Sequence, residues 1–367
     1  MDPDLAEIAG RFCFHGDLFR AEPLRSGHIN DSYALWFRAP DGELRRYLLQ
    51  RINRRVFHAP EQLMENIEAI TAHLRSQVLT AGGDPDREAL TLVRTGDGGI
   101  LYRTPGGDCW RAALFIEGAR TYEIAASLDQ VYSAGRAFGK FQRMVSDFPA
   151  DRLHETIPDF HHTPKRFAAL RHAVRRDPLN RARYARAEIE FAEQRADGAS
   201  VLLDLQQAGA LPRRVTHNDT KLNNVLIDDA TGQGICVIDL DTVMPGLSLY
   251  DLGDAVRSAA NTATEDEPDL SRVAIDLDIY ERLVAGYLDA AGGLLTPLEI
   301  DLLPFAARLM TLECGIRFLA DHLDGDLYFR VGRPDHNLDR CRTQFKLVRD
   351  MEARCAAMER IVERLSC

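Results

Sequence analysis

Between Val215 and Asp241 the chain reads VTHNDTKLNNVLIDDATGQGICVIDLD, and four oxygen-bearing side chains fall there at useful intervals. A short apolar strand at Arg214, Val215 and Thr216 runs into a polar loop that offers Asp219 and, five residues on, Asn224. A second apolar strand, Ile235 to Ile238, delivers Asp239 and Asp241. A carboxylate beside an attacking hydroxyl, with oxygen ligands that hold Mg2+ against a triphosphate, is the equipment of phosphoryl transfer. Asp219 suits the first task, and Asn224 and Asp239 suit the second. Asp241 lies near the metal, placed for a water or a second ion.

His217, Asp219 and Asn224 match the pattern H-x-D-x-x-x-x-N of a kinase catalytic loop, and Asp239 ends the following strand about fifteen residues later, as a kinase metal-binding Asp does. The competing account is an Asp- and Asn-rich turn whose side chains cap their own backbone. It leaves the acidic pair after Ile238 unexplained.

These residues need a scaffold, and the rest of the chain divides in a way that supplies one. Ser32–Phe37 and Arg46–Ile52 read as strands about a Pro40-Asp41-Gly42 turn, and Pro60 opens an amphipathic helix through Leu63, Met64, Ile67 and Ile70. Leu90–Val93, Gly99–Arg103 and Trp110–Ile116 read as further strands. Beyond residue 120 the period becomes helical, with helices expected over 127–148, over 164–205 with a break near Pro178, and over 249–260, 275–291, 297–323 and 337–365. The expected fold class is α+β, a bilobal protein-kinase-like fold. Its parts are a strand-rich nucleotide-covering lobe at 1–115, a hinge at 116–120 and a helical lobe at 121–367.

A phosphate-covering segment belongs just before the first hairpin, where Ser26-Gly27-His28-Ile29-Asn30 stands. Gly27 would let backbone approach a phosphate. A kinase also carries a lysine on its third strand, paired with a helix glutamate. Here the lysines are Lys140, Lys165, Lys221 and Lys346, none in the first lobe. Gln50 stands in that place, so Mg2+ and other donors must carry more of the charge, with Glu65 or Glu68 on the next helix as the expected partner. The nucleotide contacts expected are therefore Gly27, Asn30, Gln50, Phe115 and Glu117.

The 367 residues carry a net charge of −11 and a low pI near 5.5, which argues against a nucleic-acid or anionic-membrane partner. The start, MDPDLAEIAG, lacks a signal-peptide pattern, no apolar run is long enough to span a bilayer, and seven scattered cysteines suit reduced thiols. A cytoplasmic protein is expected.

The chain resembles the aminoglycoside phosphotransferase-like small-molecule kinases, the choline and homoserine kinases among them, and within that group the N-acetylhexosamine 1-kinases. The segments that carry the resemblance are GHIN at 27–30, YLLQRIN at 47–53, VTHNDTKLNNVLID at 215–228, VIDLDTVMPG at 237–246, LECGIRFLADHLDGDLYF at 312–329 and HNLDRCRTQFKLV at 336–348. The resemblance implies ATP-dependent phosphorylation of the anomeric hydroxyl of N-acetylglucosamine or N-acetylgalactosamine. It implies Asp219 as the base, Asn224 and Asp239 on Mg2+, and His28, Arg317 and Tyr328 on the sugar. His217 and Asp251 would brace the loop from below. For Arg317 the alternative is a helix ladder, Glu313–Arg317–Asp321 at i, i+4, i+8. Two other readings stay open: a kinase of choline, homoserine or an aminoglycoside, and a nucleotide-binding scaffold that has lost catalysis, suggested by Gln50.

Overall fold

The computed structural model describes residues 3–24 and 29–366. After a short helix, α1 (Pro3–Ala9), come strands β1 (Asp17–Leu24), β2 (Asp31–Arg38) and β3 (Leu44–Ile52), then helices α2 (Pro60–Thr80) and α3 (Pro85–Glu88). Strands β4 (Leu92–Val93), β5 (Tyr102–Arg103) and β6 (Cys109–Leu114) follow. They form an antiparallel sheet of order β1-β2-β3-β6-β4, with β5 also on β6. The β2–β3 turn closes through Ala39 and Glu43, with Gly42 at φ 88°, where a side chain would be strained.

Side chains alternate across a sheet. Leu35, Phe37, Tyr47, Leu49, Trp110 and Ala112 pack on one face against Leu5, Ala9 and Phe12. The intervening residues, Leu48, Gln50 and Arg111, therefore emerge on the other face, toward the rest of the molecule. Helix α2 starts with Pro60 at its first turn and buries Leu63, Met64, Ile67, Ile70 and Leu74 at helical spacing.

Past β6 the chain runs through Phe115–Gly118 into β7 (Ala119–Arg120), which pairs with β9 (Val225–Asp228) rather than with the first sheet. Helices α4 (Leu128–Met144), α5 (Thr163–Arg176), α6 (Arg186–Glu193) and α7 (Val201–Gln207) precede strands β8 (Arg214–Thr216), β9, β10 (Gly234–Val237) and β11 (Met244–Gly246). The chain closes with α8 (Ser248–Ala259), α9 (Leu277–Ala291), α10 (Pro297–Asp301), α11 (Leu303–Asp324), α12 (His336–Ala353) and α13 (Cys355–Ser366). β10 pairs with β9 and β11 with β8, so two small ladders hold the loops that follow β8 and β10. Helices α4 and α9 cross so closely that a Cβ at Gly135 or Gly286 would strike the facing backbone at Leu283 or Tyr132. One large core joins α2, α4, α8, α9 and the small strands, and a second joins α5, α6, α11 and α12.

The fold is α+β, with an antiparallel sheet first and a helical part after, as the hydrophobic periods predict. Three local differences stand out. Helix α1 and strand β1 were not expected, because β1 is an edge strand with little buried apolar surface to make a period-two signal. The 164–205 stretch is three helices, the first ended by Asp177 in a left-handed turn before Pro178. The segments expected over 297–323 and 337–365 each break in two, at Leu302 and Arg354. Among the described residues no helix is long and apolar enough to cross a membrane.

Candidate active site

A cavity of about 1510 Å3 is lined on one side by the first sheet and on the other by the β8–β11 loops, α8, α11 and α12. Asn30, Gln50, Phe115, Asp219, Asn224, Asp239, Asp241, Arg317 and Tyr328 all line it. His217 and Asp251 lie beneath its floor. The Glu117 carboxylate is turned onto Arg46, whose Nε lies 2.9 Å from Oε1 and whose guanidinium stacks on Phe115. Gly27 and His28 lie outside the described residues.

The floor is built from buried polar bonds. Asp251, on the first turn of α8, accepts the backbone N–H of His217 at 2.9 Å and of Asn218 at 2.7 Å, and its carbonyl accepts the Thr220 hydroxyl. His217 Nε2 lies 2.9 Å from Ile238 O, and Nδ1 accepts the Asp219 N–H at 3.3 Å, so the ring carries its proton on Nε2 and ties the loop to the end of β10. Burial pushes Asp251 up to about 6, and the two backbone donors with His217 act in the opposite sense. Asn218 and Asp239 both sit in the left-handed region, at φ 65° and 60°, a local strain that these bonds hold in place.

Above the floor, the Asp219 carboxylate lies 2.9 Å from the Lys221 ammonium. Burial opposes its ionisation, but Lys221 outweighs burial and holds the carboxyl down at about 2; Asp219 in turn raises the Lys221 ammonium. Asn224 Nδ2 donates to Asp219 O at 2.7 Å, which leaves Asn224 Oδ1 without a partner among the described residues. Asp239 opens into the cavity with no hydrogen bond from a described residue. Enclosure by the cavity, then the Asp241 and Asp219 carboxylates, push it up to about 6. An acidic group without donors beside an amide oxygen without donors fits a hard cation. Among the described residues no three His, Cys, Asp or Glu side chains gather as a complete metal site. An octahedral ion that keeps waters and phosphate oxygens needs only one or two carboxylates from the protein.

Asp241 is differently placed. It is 3% exposed, and both its oxygens are occupied: Oδ1 by Arg111 Nη1 and Oδ2 by Asn30 Nδ2 at 2.6 Å. Gln50 accepts Arg111 Nε at 3.0 Å and donates to Ser32 Oγ at 2.9 Å. Gln50 is thus a support for Arg111. The expected helix partners are elsewhere, since Glu65 pairs with His154 and Glu68 with Arg94.

At the far end, Arg317 on α11 makes no hydrogen bond or ion pair with a described residue and lies among three rings, 5.0 Å from Phe160, 5.5 Å from Phe329 and 5.9 Å from Tyr328. The helix ladder does not form. Glu313 is taken by His161 at 2.8 Å and Thr163 at 2.6 Å. Asp321 accepts the backbone N–H groups of Leu327, Tyr328 and Phe329, which fixes the loop bearing Tyr328. The acidic residues near Arg317 are also engaged, Asp254 and Glu265 both by Arg257. Three buried acceptors that line the cavity have no partner among the described residues, Asn223 Oδ1, Asp254 Oδ2 and Gln344 Oε1.

Sequence reasoning missed two cations here. Lys221 stands at no position of the loop pattern that has an assigned role, yet two residues after Asp219 it comes to lie beside the carboxylate. Arg111 sits mid-strand, directly opposite Gln50 in the β3–β6 register, and pairing of distant strands left no mark near it in the chain.

Solved structures of the same shape bear out the fold. An aminopropanol kinase associated with a microcompartment superposes with a TM-score of 0.59 at 17% identity, over 97% of this chain and 98% of that one. An aminoglycoside phosphotransferase from Alicyclobacillus acidocaldarius gives 0.61 at 14%, over 94% and 92%. A choline kinase from Cryptosporidium parvum gives 0.58 at 12%, over 92% and 90%. At these identities the likeness is one of fold. The sequence supplies the rest: residues 20–293, which hold strands β2 to β11 and every carboxylate of the cavity floor described above, match the APH phosphotransferase enzyme family, and the chain belongs to that family.

Proposed function

We propose that the protein is an ATP-dependent sugar kinase that phosphorylates the anomeric hydroxyl of an N-acetylhexosamine. The observation that carries this reading is the state of Arg317. Its guanidinium fills the aromatic group of Phe160, Tyr328 and Phe329, so those rings are not left open for a quaternary ammonium such as choline. The acids nearest this group are already engaged, Glu313 by His161 and Thr163 and Asp254 and Glu265 by Arg257, so no dense acidic surface awaits a polycation there. What remains are single donors and acceptors, Arg317, Asp254 Oδ2 and Gln344 Oε1, suited to hydroxyls and an acetamide. The described parts of the six segments that resemble N-acetylhexosamine 1-kinases, which run from residue 29 to residue 348, all contribute residues to this cavity.

In this reading Asp219 orients the sugar hydroxyl and accepts its proton. A carboxylate held low by Lys221 is a weak base, which suits a loose transition state where positioning matters more than basicity. Lys221 bears charge toward the transferred phosphoryl group. Asn224 and Asp239 would hold Mg2+, which when bound offsets the phosphate charge. Leu48, Leu114 and Ile116 line the cavity beside Phe115 and give a base an apolar seat. The proposed division of labour is a sheet lobe to about residue 115, a hinge to 120 and a helical lobe beyond. His28 would reach the sugar from the first.

The test is turnover of a panel of N-acetylglucosamine, N-acetylgalactosamine, choline, homoserine and an aminoglycoside with Mg-ATP, with phosphorus NMR locating the product phosphate. An N-acetylhexosamine 1-phosphate is expected. Preferred turnover of an amine, or phosphate at another hydroxyl, would overturn the assignment.

A further inference from the structure

We infer that Arg111 is the cation that grips the nucleotide's phosphates from the sheet side, with Gln50 as its support and Asp241 as the anion that occupies it when no nucleotide is bound. This rests on the reading of the cavity as an ATP site but not on the identity of the acceptor. A triphosphate placed among Asp219, Asp239 and Asp241 adds anions to anions, and Gln50 can hydrogen-bond a phosphate without neutralising it. A protein cation is required on that side.

Among the described residues of the first sheet and the segment after it, three cations line the cavity. Arg46 is committed to Glu117 and to the Phe115 ring, and Arg120 pairs with Asp229 on the outside. Arg111 alone reaches the acidic cluster. It is 7% exposed, its Nε is fixed by Gln50 and its Nη1 lies on Asp241, while Nη2 has no partner among the described residues. A buried ion pair of this kind is costly to desolvate and is weak evidence of a purely structural role. A guanidinium fork fits a carboxylate and a phosphate by the same geometry. Asp241 is held by Arg111 and Asn30, both from the first sheet's side of the cavity, and it stands two residues from Asp239. The carboxylate thus marks where the guanidinium finds an anionic partner, and phosphate oxygens replace or join it there.

The experiment is calorimetric titration with ADP, AMP and adenosine in EDTA, so that protein cations alone are read and no acceptor is present. Arg111→Met should weaken ADP by about 10- to 100-fold, the range of one or two charge-assisted hydrogen bonds, and leave adenosine unchanged. Arg111→Lys should keep part of the ADP preference. If Arg111→Met does not fold, the neutral pair Arg111→Met with Asp241→Asn is measured instead, and the same loss of ADP over adenosine is expected. Unchanged ADP affinity with a lowered melting temperature makes Arg111 only the partner of Asp241 and overturns the inference. Equal weakening of ADP and adenosine overturns it too, as general damage to the cavity. A parent protein that does not prefer ADP to adenosine removes the nucleotide site itself. A sugar panel that fails leaves all these outcomes readable.

Discussion

Replacing Arg317 by Ala separates recognition from stability because the structure gives the two roles opposite consequences. The side chain has no carboxylate or carbonyl partner among the described residues, so its removal strands no buried charge. What is lost is contact with three rings at 5.0 to 5.9 Å. Each contact is worth about 0.5–1 kcal/mol, and part is returned because a cavity-bound cation no longer has to be desolvated. A net change of about 1 kcal/mol in stability follows, a shift of roughly 2–4 °C or less in Tm. A hydrogen bond from a charged donor to a bound acceptor molecule is worth about 1.5–3 kcal/mol, so kcat/KM for the sugar should fall by about 10- to 150-fold. ATP affinity should hold. The assay is thermal melting and sugar kinetics at saturating ATP on one preparation of Arg317→Ala. A large drop in Tm with unchanged sugar kinetics in the folded fraction would refute the reasoning, since it would mean that Arg317 is a packing residue.

Asp219→Asn keeps the size and the backbone bonds of the loop but removes the proton acceptor, and kcat should fall by about 10²- to 10⁴-fold with nucleotide binding intact; near-parent turnover removes Asp219 from the chemistry. Asp239→Ala should abolish activity and the Mg2+-dependent part of ATP binding, checked by titration with and without EDTA, and an unaltered metal dependence would show that the ion is held elsewhere. His322 is buried beside Arg181, and burial first, then that guanidinium, lower its pKa. Its neutral form therefore favours the folded state, a contribution present above about pH 6.5 and lost as pH falls through the folded value. Urea midpoints from pH 7.5 to 5 should decline more steeply for the parent than for His322→Gln, and parallel profiles would exclude this proton as the cause.

The fold was legible wherever one face of an element is buried. Helix α2 announces itself by Pro60 and by Leu63, Met64, Ile67, Ile70 and Leu74, and β2 and β3 by their alternation about Gly42. Strand β1 was not legible because it lies at the sheet edge, where period-two contrast is weak. The splits at Leu302 and Arg354 were hidden for a related reason: the apolar period runs on across both breaks, so only the backbone bonds reveal them.

For the site, legibility followed distance along the chain. His217, Asp219, Asn224 and Asp239 fall within 23 residues, because one loop and one hairpin deliver them to the same floor. Arg111 lies 130 residues from Asp241, and only the β3–β6 register brings it beside Gln50 and across the cavity. The missing lysine and the buried arginine are two aspects of one electrostatic requirement, a cation on the sheet side of an acidic floor. The sequence exposes the first as an absence at Gln50. A strand-to-strand pairing is needed to find the second, and that pairing turns Gln50 from a weak phosphate ligand into the residue that aims Arg111. Replacing Gln50 alone should then act through the guanidinium, loosening ADP while leaving adenosine bound, whereas a direct role for Gln50 would persist in the Arg111→Met background.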